Sequence, residues 1–171
     1  MRYAGPAYRG HNPRWSFAPT SGEGAAIHGG RFNPKGVPAL YLATTIEGAL
    51  AEATQGFAYK FNPLTLCAYD VDCDDVVDLT TKGGREQARV TEADMAAPWF
   101  GDMKEGRRPA SWLIHDRLVS EAAGILVPSF AFRAPLGATN LVLWRWAESG
   151  PHRVRVHDPD HVLPKNRASW T

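Results

Sequence analysis

Cysteine, methionine and net charge are all scarce in this chain. Its 171 residues hold two cysteines and three methionines, and 19 lysines and arginines stand against 18 aspartates and glutamates, a formal charge of +1. Two thiols make no disulfide framework. Cys67 and Cys73 read as one face of a single strand, too far apart to bridge, and neither has a second Cys or a His at zinc-finger spacing. The expectation is two buried thiols in a reducing compartment. A balanced charge leaves no surplus of cations to displace counterions from nucleic acid, which argues against non-specific DNA or RNA binding. No apolar run approaches the roughly 18 residues of a membrane span, and Met1-Arg2-Tyr3-Ala4-Gly5-Pro6 carries no apolar signal core. A cytoplasmic protein with no membrane partner is expected.

Familiar chemical motifs are missing too. There is no Walker A loop, no His-Glu-x-x-His, and no Gly-x-Ser-x-Gly elbow around Ser129. Gly22-Glu23-Gly24-Ala25-Ala26 lacks the third glycine and the preceding strand of a dinucleotide loop. The histidines at 11, 28, 115, 152, 157 and 161 show no metal-ligand spacing, so no metal is expected.

What the chain does have is apolar content of 44%, 16 glycines and 13 prolines. That supports a core but not a helical bundle, and its length suits a single domain over residues 1–171. The first 38 residues read as irregular structure with short strands. Leu40 to Ala43 is a strand. A helix follows, capped by Thr44 or Thr45, with Ile46, Ala49, Leu50 and Ala53 on one buried face and Gly56 as its stop. Leu64 to Leu79 is β-like, and its five aspartates suit a solvated sheet edge better than a calcium loop. Arg85 to Ala97 is weakly helical, and Pro109 to Ala123 is a better helix ended by Gly124. Strands follow at Ile125 to Val127, Asn140 to Trp146 and Arg153 to His157, with Trp144 and Trp146 expected to share a face. Without regular alternation of strands and helices, the fold class is α+β.

The densest segment runs from Gly29-Gly30-Arg31-Phe32-Asn33-Pro34-Lys35-Gly36 to Tyr41-Leu42-Ala43. Two glycines let the backbone approach a ligand and leave the Arg31 guanidinium projecting. Its planar fork suits a phosphate or carboxylate, and the alternative is an arginine tied to a carboxylate in a structural turn. Glu52, on the helix after Tyr41, sits at the border of the apolar face, where it either points into a cleft or is simply solvated. Ser129 follows Val127-Pro128 at a strand end.

In this order, Tyr8-Arg9, the Gly29–Gly36 block, Tyr41-Leu42-Ala43, Ala49-Leu50-Ala51-Glu52-Ala53 and Ile125-Leu126-Val127-Pro128-Ser129 resemble the RES-domain toxin family. The resemblance spans about Tyr8 to Trp144. Phe32 stands where Trp is common, and the segment from Thr80 to Arg108 is longer than usual. The resemblance implies an ADP-ribosyltransferase-like fold, a split β-sheet with a few short helices. It also implies a toxin of a type II toxin–antitoxin pair, neutralised by an Xre-like antitoxin, with NAD+ as co-substrate. Some members transfer ADP-ribose to a protein acceptor, phosphoribosyl pyrophosphate synthetase among them, and others hydrolyse or phosphorolyse NAD+. Carried over, Glu52 would steady the oxocarbenium, Arg31 would grip the pyrophosphate, and Arg9 would add a phosphate contact or fix Glu52. Tyr41 would stack on nicotinamide and offer its hydroxyl to the ribose, and Ser129 would bond the ribose or Glu52. A rival of another class is an RNA-cleaving toxin, supported only by arginine pairs and Trp144-Arg145-Trp146.

Overall fold

The structure, a computed structural model, describes residues 1–54 and 63–170. Gly56, the expected helix stop, lies outside the described residues. One mixed sheet contains β1 (Tyr3–His11), β2 (Leu40–Ala43), β3 (Thr65–Cys73), β4 (Val76–Asp78), β5 (Gly124–Pro128), β6 (Thr139–Leu143) and β7 (His152–Val156). Its order is β4-β5-β6-β2-β1-β3-β7, antiparallel throughout except between β4 and β5. The helices α1 (Glu23–His28), α2 (Ile46–Thr54), α3 (Lys82–Ala88), α4 (Glu92–Ala96), α5 (Trp99–Lys104) and α6 (Trp112–Leu118) are all short. The α+β class follows directly.

The sheet is nearly divided in two. β1 and β2 pair at Tyr8 opposite Ala43, whereas β1 and β3 pair along nine positions from Tyr3 opposite Cys73 to His11 opposite Thr65. β2 does not run alongside Pro6, so on that side β1 is effectively an edge, where a proline is tolerated. The helix α2 lies over this junction and packs on β1 and β2.

Strand alternation separates two cores. Val142, Ile125 and Val127 face one side and pack with Phe32, Met95, Ile114 and Leu118. Leu141, Leu143, Leu40 and Leu42 face the other and pack with Tyr69, Val71 and both cysteines. The period of two in each strand sends neighbouring residues to opposite cores.

Several expectations need correction. β3 is interior, not a sheet edge: its exposed Asp70 is paired with Arg153, and Asp72 with Arg2 at 2.6 Å. Tertiary pairing with β7 turned a charged strand inward because arginines neutralise it. Trp144 and Trp146 do not share a face. The strand ends at Leu143, so alternation lapses: Trp144 joins the first core and Trp146 packs on the second. On α2, Ala49 is buried as expected, but Ile46 and Ala53 are exposed. Thr45 supplies the start of that helix, accepting from the Gly48 N–H at 3.1 Å. Arg85 to Ala97 is two helices, broken where Arg89 takes φ 55°. Gly124 opens β5 rather than ending a helix; a Cβ there would lie 2.3 Å from the Val142 carbonyl oxygen.

Candidate active site

A cleft of about 740 Å³ opens beside the β1–β2 junction, and Arg9, Arg31, Tyr41, Glu52 and Asn140 all line it. A smaller hollow of about 220 Å³ continues under α2 and shares Arg9, Tyr41, Glu52 and Asn140. Such a volume is in the range of small-molecule sites. Four of the five residues singled out from the sequence are therefore wall residues of one cavity, and the fifth, Ser129, bonds to Glu52.

The Gly29–Gly36 block is held by Asn33, whose side chain is completely buried. Its Nδ2 donates to the carbonyls of Ala25 at 2.9 Å and Val37 at 2.8 Å, and its Oδ1 accepts from the Tyr41 hydroxyl at 2.7 Å. That hydroxyl in turn accepts from the Phe32 N–H at 3.0 Å. The Tyr41 hydroxyl thus donates its proton within the block and helps to fold it, while the residue also lines the cleft. Burial pushes its pKa well above the ordinary tyrosine value. Gly30 is required here because a Cβ would come within 2.5 Å of both Asn33 Oδ1 and the Tyr41 hydroxyl. Trp112 pins the block from α6, donating Nε1–H to the Gly30 carbonyl at 2.8 Å.

Arg31 follows directly. Among the described residues it is tied to no carboxylate. Its Nη1 donates to the carbonyls of Met95 at 3.1 Å and Ala97 at 2.8 Å, and the guanidinium lies 4.6 Å from the Phe130 ring centroid. Among the described residues both hydrogen bonds leave from Nη1, and Arg31 also lines the cleft. Burial lowers its pKa, while the nearby Glu52 carboxylate opposes that shift. Arg9 donates from Nη1 to the carbonyls of Pro19 at 3.2 Å and Ser21 at 3.0 Å, and burial lowers its pKa as well. Its hydrogen bonds do not fix Glu52.

That role belongs to two other residues. Ser129 donates to Glu52 Oε1 at 2.7 Å, and Asn140 Nδ2 donates to the same oxygen. The Ser129 oxygen itself accepts from the Ala131 N–H at 3.2 Å, which leaves its proton for Glu52. Glu52 is exposed, at the mouth where the cleft and the hollow meet.

The sequence reading missed Asn140 and the aromatic wall of Trp99, Phe100, Phe130 and Phe132. A signal existed for Asn140: it is a polar residue immediately before Leu141-Val142-Leu143, on the strand face that carries Val142. The aromatics carry no motif, and only folding brings α5 and the segment after β5 to one cavity. No helix among the described residues is long and apolar enough to cross a membrane.

Comparison with known proteins agrees with this architecture. The RES domain family model matches residues 6–166. NAD(+) phosphorylase MbcT of Mycobacterium bovis and that of Mycobacterium tuberculosis are 34% identical to this chain over 119 residues, 64% of this chain. The chain spans about 60% of the length of these curated relatives. The crystal structure of the M. tuberculosis MbcT–MbcA toxin–antitoxin complex matches with a TM-score of 0.60 at 23% identity, covering 92% of this chain and 84% of that one. With nearly the whole length under the family model and the same fold in that neighbour, the chain belongs to the RES domain family.

Proposed function

We propose that this protein cleaves the nicotinamide–ribose bond of NAD+, with phosphate as the acceptor of ADP-ribose. One observation carries the reading: among the described residues the cleft is lined by a single carboxylate, Glu52, and by two arginines, Arg9 and Arg31. Glycoside hydrolysis of an ordinary sugar needs two carboxyl groups, one of them an acid for the leaving oxygen. Nicotinamide needs no such acid. It leaves as a neutral ring, keeping the electron pair of the broken C–N bond. Positive charge then develops on the ribose carbon, and one fixed carboxylate is the group that stabilises it. A phosphate oxygen forms the new bond to that carbon, and the products are nicotinamide and ADP-ribose phosphate.

The remaining walls suit the remaining parts of the substrate. Two guanidiniums match the two charges of a pyrophosphate, with Arg31 pre-oriented by two carbonyls and the Phe130 ring. The Tyr41 ring and the phenylalanines offer flat apolar faces to nicotinamide and adenine. The relatives' name, NAD(+) phosphorylase, supports phosphate over a protein as acceptor. Transfer of ADP-ribose to a protein such as phosphoribosyl pyrophosphate synthetase shares the bond cleavage and differs only in the attacking group. We read the protein as a growth-inhibiting toxin acting as one catalytic unit. The proposed partner is an antitoxin, of which an Xre-like protein is the expected kind, and the toxin–antitoxin complex among its structural neighbours supports this.

The test is to incubate purified protein with NAD+ with and without phosphate and follow the phosphorus NMR spectrum. Nicotinamide release that depends on phosphate, with a new sugar-phosphate signal, is expected. Release unaffected by phosphate would reject phosphorolysis, and label from NAD+ retained on a lysate protein would move the assignment to transfer.

A further inference from the structure

We infer that Asn140 is a positioning residue that decides which oxygen of Glu52 meets the substrate, an inference that rests on the NAD+-cleaving reading above. Its Nδ2 donates to Glu52 Oε1, the oxygen that also takes the Ser129 proton. Both hydrogen bonds that the described residues give Glu52 end on that one atom. Oε2 is thereby the oxygen left for the cleft.

The orientation of the amide follows from the chemistry of its partner. An ionised carboxylate only accepts, so Asn140 must present its NH2 group to Glu52. That turns Oδ1 the other way, where it is buried with no hydrogen-bond partner among the described residues. A buried amide oxygen without a donor is a net cost to the fold. An apolar side chain at this position would avoid it. Folding alone therefore gives no reason for an amide here, whereas holding a carboxylate does.

The backbone makes Asn140 suited to that task. It lies in the interior of the sheet, opposite Ala43 on β2 and Val127 on β5. Glu52, by contrast, projects from an exposed turn of α2 on a flexible side chain with three rotatable bonds. A donor on a rigid strand, with a second from Ser129, converts that mobile carboxylate into one with a fixed face. Precise placement of a charge against a developing cation is worth far more than its presence nearby.

A residue that acts through Glu52 has a distinctive signature. Asn140→Ala should lower kcat for nicotinamide release about a hundredfold, with KM for NAD+ within about twofold. Its Tm should be equal to or above that of the parent, because the stranded oxygen is gone. In a Glu52→Asp background, whose shorter side chain already misses both donors, Asn140→Ala should cause no further loss. Asn140→Asp, equal in shape but without a donor, should lose at least as much and serves if the alanine variant folds poorly. A raised KM with unchanged kcat, or the same fold-loss in both backgrounds, overturns the inference. Crystal structures of the Asn140 variants separate the two layers. If the parent protein releases no nicotinamide, the reading of the activity fails, and the Glu52 carboxylate then decides: displaced from Ser129 supports the positioning role, unmoved overturns it.

Discussion

The hydroxyl of Ser129 lies 2.7 Å from Oε1 of Glu52, joining residues 77 positions apart in sequence. Its oxygen accepts from the Ala131 N–H while its proton goes to Glu52. Ser129→Ala removes that donor and leaves Asn140 as the other. NAD+ turnover should fall about tenfold, and stability should change by less than about 1 kcal/mol, the ordinary worth of an exposed hydrogen bond. Steady-state kinetics beside a urea denaturation curve check both halves.

Tyr41→Phe separates the ring from the hydroxyl. The ring stays in the cleft wall, but Asn33 Oδ1 loses its donor and the Phe32 N–H loses its acceptor. Two stranded groups should cost on the order of 2–4 kcal/mol. NAD+ affinity of the folded fraction should change little. A variant with normal stability and lost affinity would restore the direct ribose contact expected from family resemblance.

The same hydroxyl makes stability sensitive to alkali. Burial raises the pKa of Tyr41, and of Tyr69, above the ordinary value near 10. The unfolded chain ionises these tyrosines first, so the stabilisation is complete below pH of about 10 and declines as pH rises past it. Absorbance of tyrosinate should appear together with loss of structure rather than before it, for these two residues.

His11 gives the opposite dependence. Burial, aided by the Arg9 charge, depresses its pKa from 6.5 to about 4, and both ring nitrogens lack hydrogen-bond partners among the described residues. Between those values the unfolded state binds the proton and the folded state does not. Stability should therefore fall as pH drops from about 6.5 towards 4. His11→Phe should flatten that part of the profile in urea titrations at pH 7 and pH 5.

Gly30→Ala is the most disruptive small change. The new methyl would sit 2.5 Å from Asn33 Oδ1 and from the Tyr41 hydroxyl. Overpacking of this kind costs about 1–3 kcal/mol, and here it also pushes apart the bond that shapes the block. Denaturation midpoint and NAD+ binding should both drop.

Much of the site was legible in the chain itself. The glycine pair, Arg31, Tyr41 and Glu52 lie within 24 residues, so local turn chemistry and one helix suffice to bring them near each other. The apolar strand Leu40–Ala43 was legible to its end residues because four consecutive apolar side chains between turn and cap allow little else. β1 was not. Its glycines and proline argue against a strand, and it exists because nine pairings with β3 outweigh that local preference. The aromatic wall and the roles of Trp144 and Trp146 were equally hidden, since each depends on segments far apart in sequence.

The sequence by itself determined the α+β class, the family and the identity of the charged groups, because these follow from short-range pattern and residue chemistry. Only the tertiary structure decided which partners each group has. It spent the Tyr41 hydroxyl on Asn33, bound Arg31 to carbonyls instead of a carboxylate, and turned Ser129 and Asn140 onto one oxygen of Glu52. The physical reason is that hydrogen bonds are directional and saturable: a side chain's function depends on which of its donors and acceptors folding has already used.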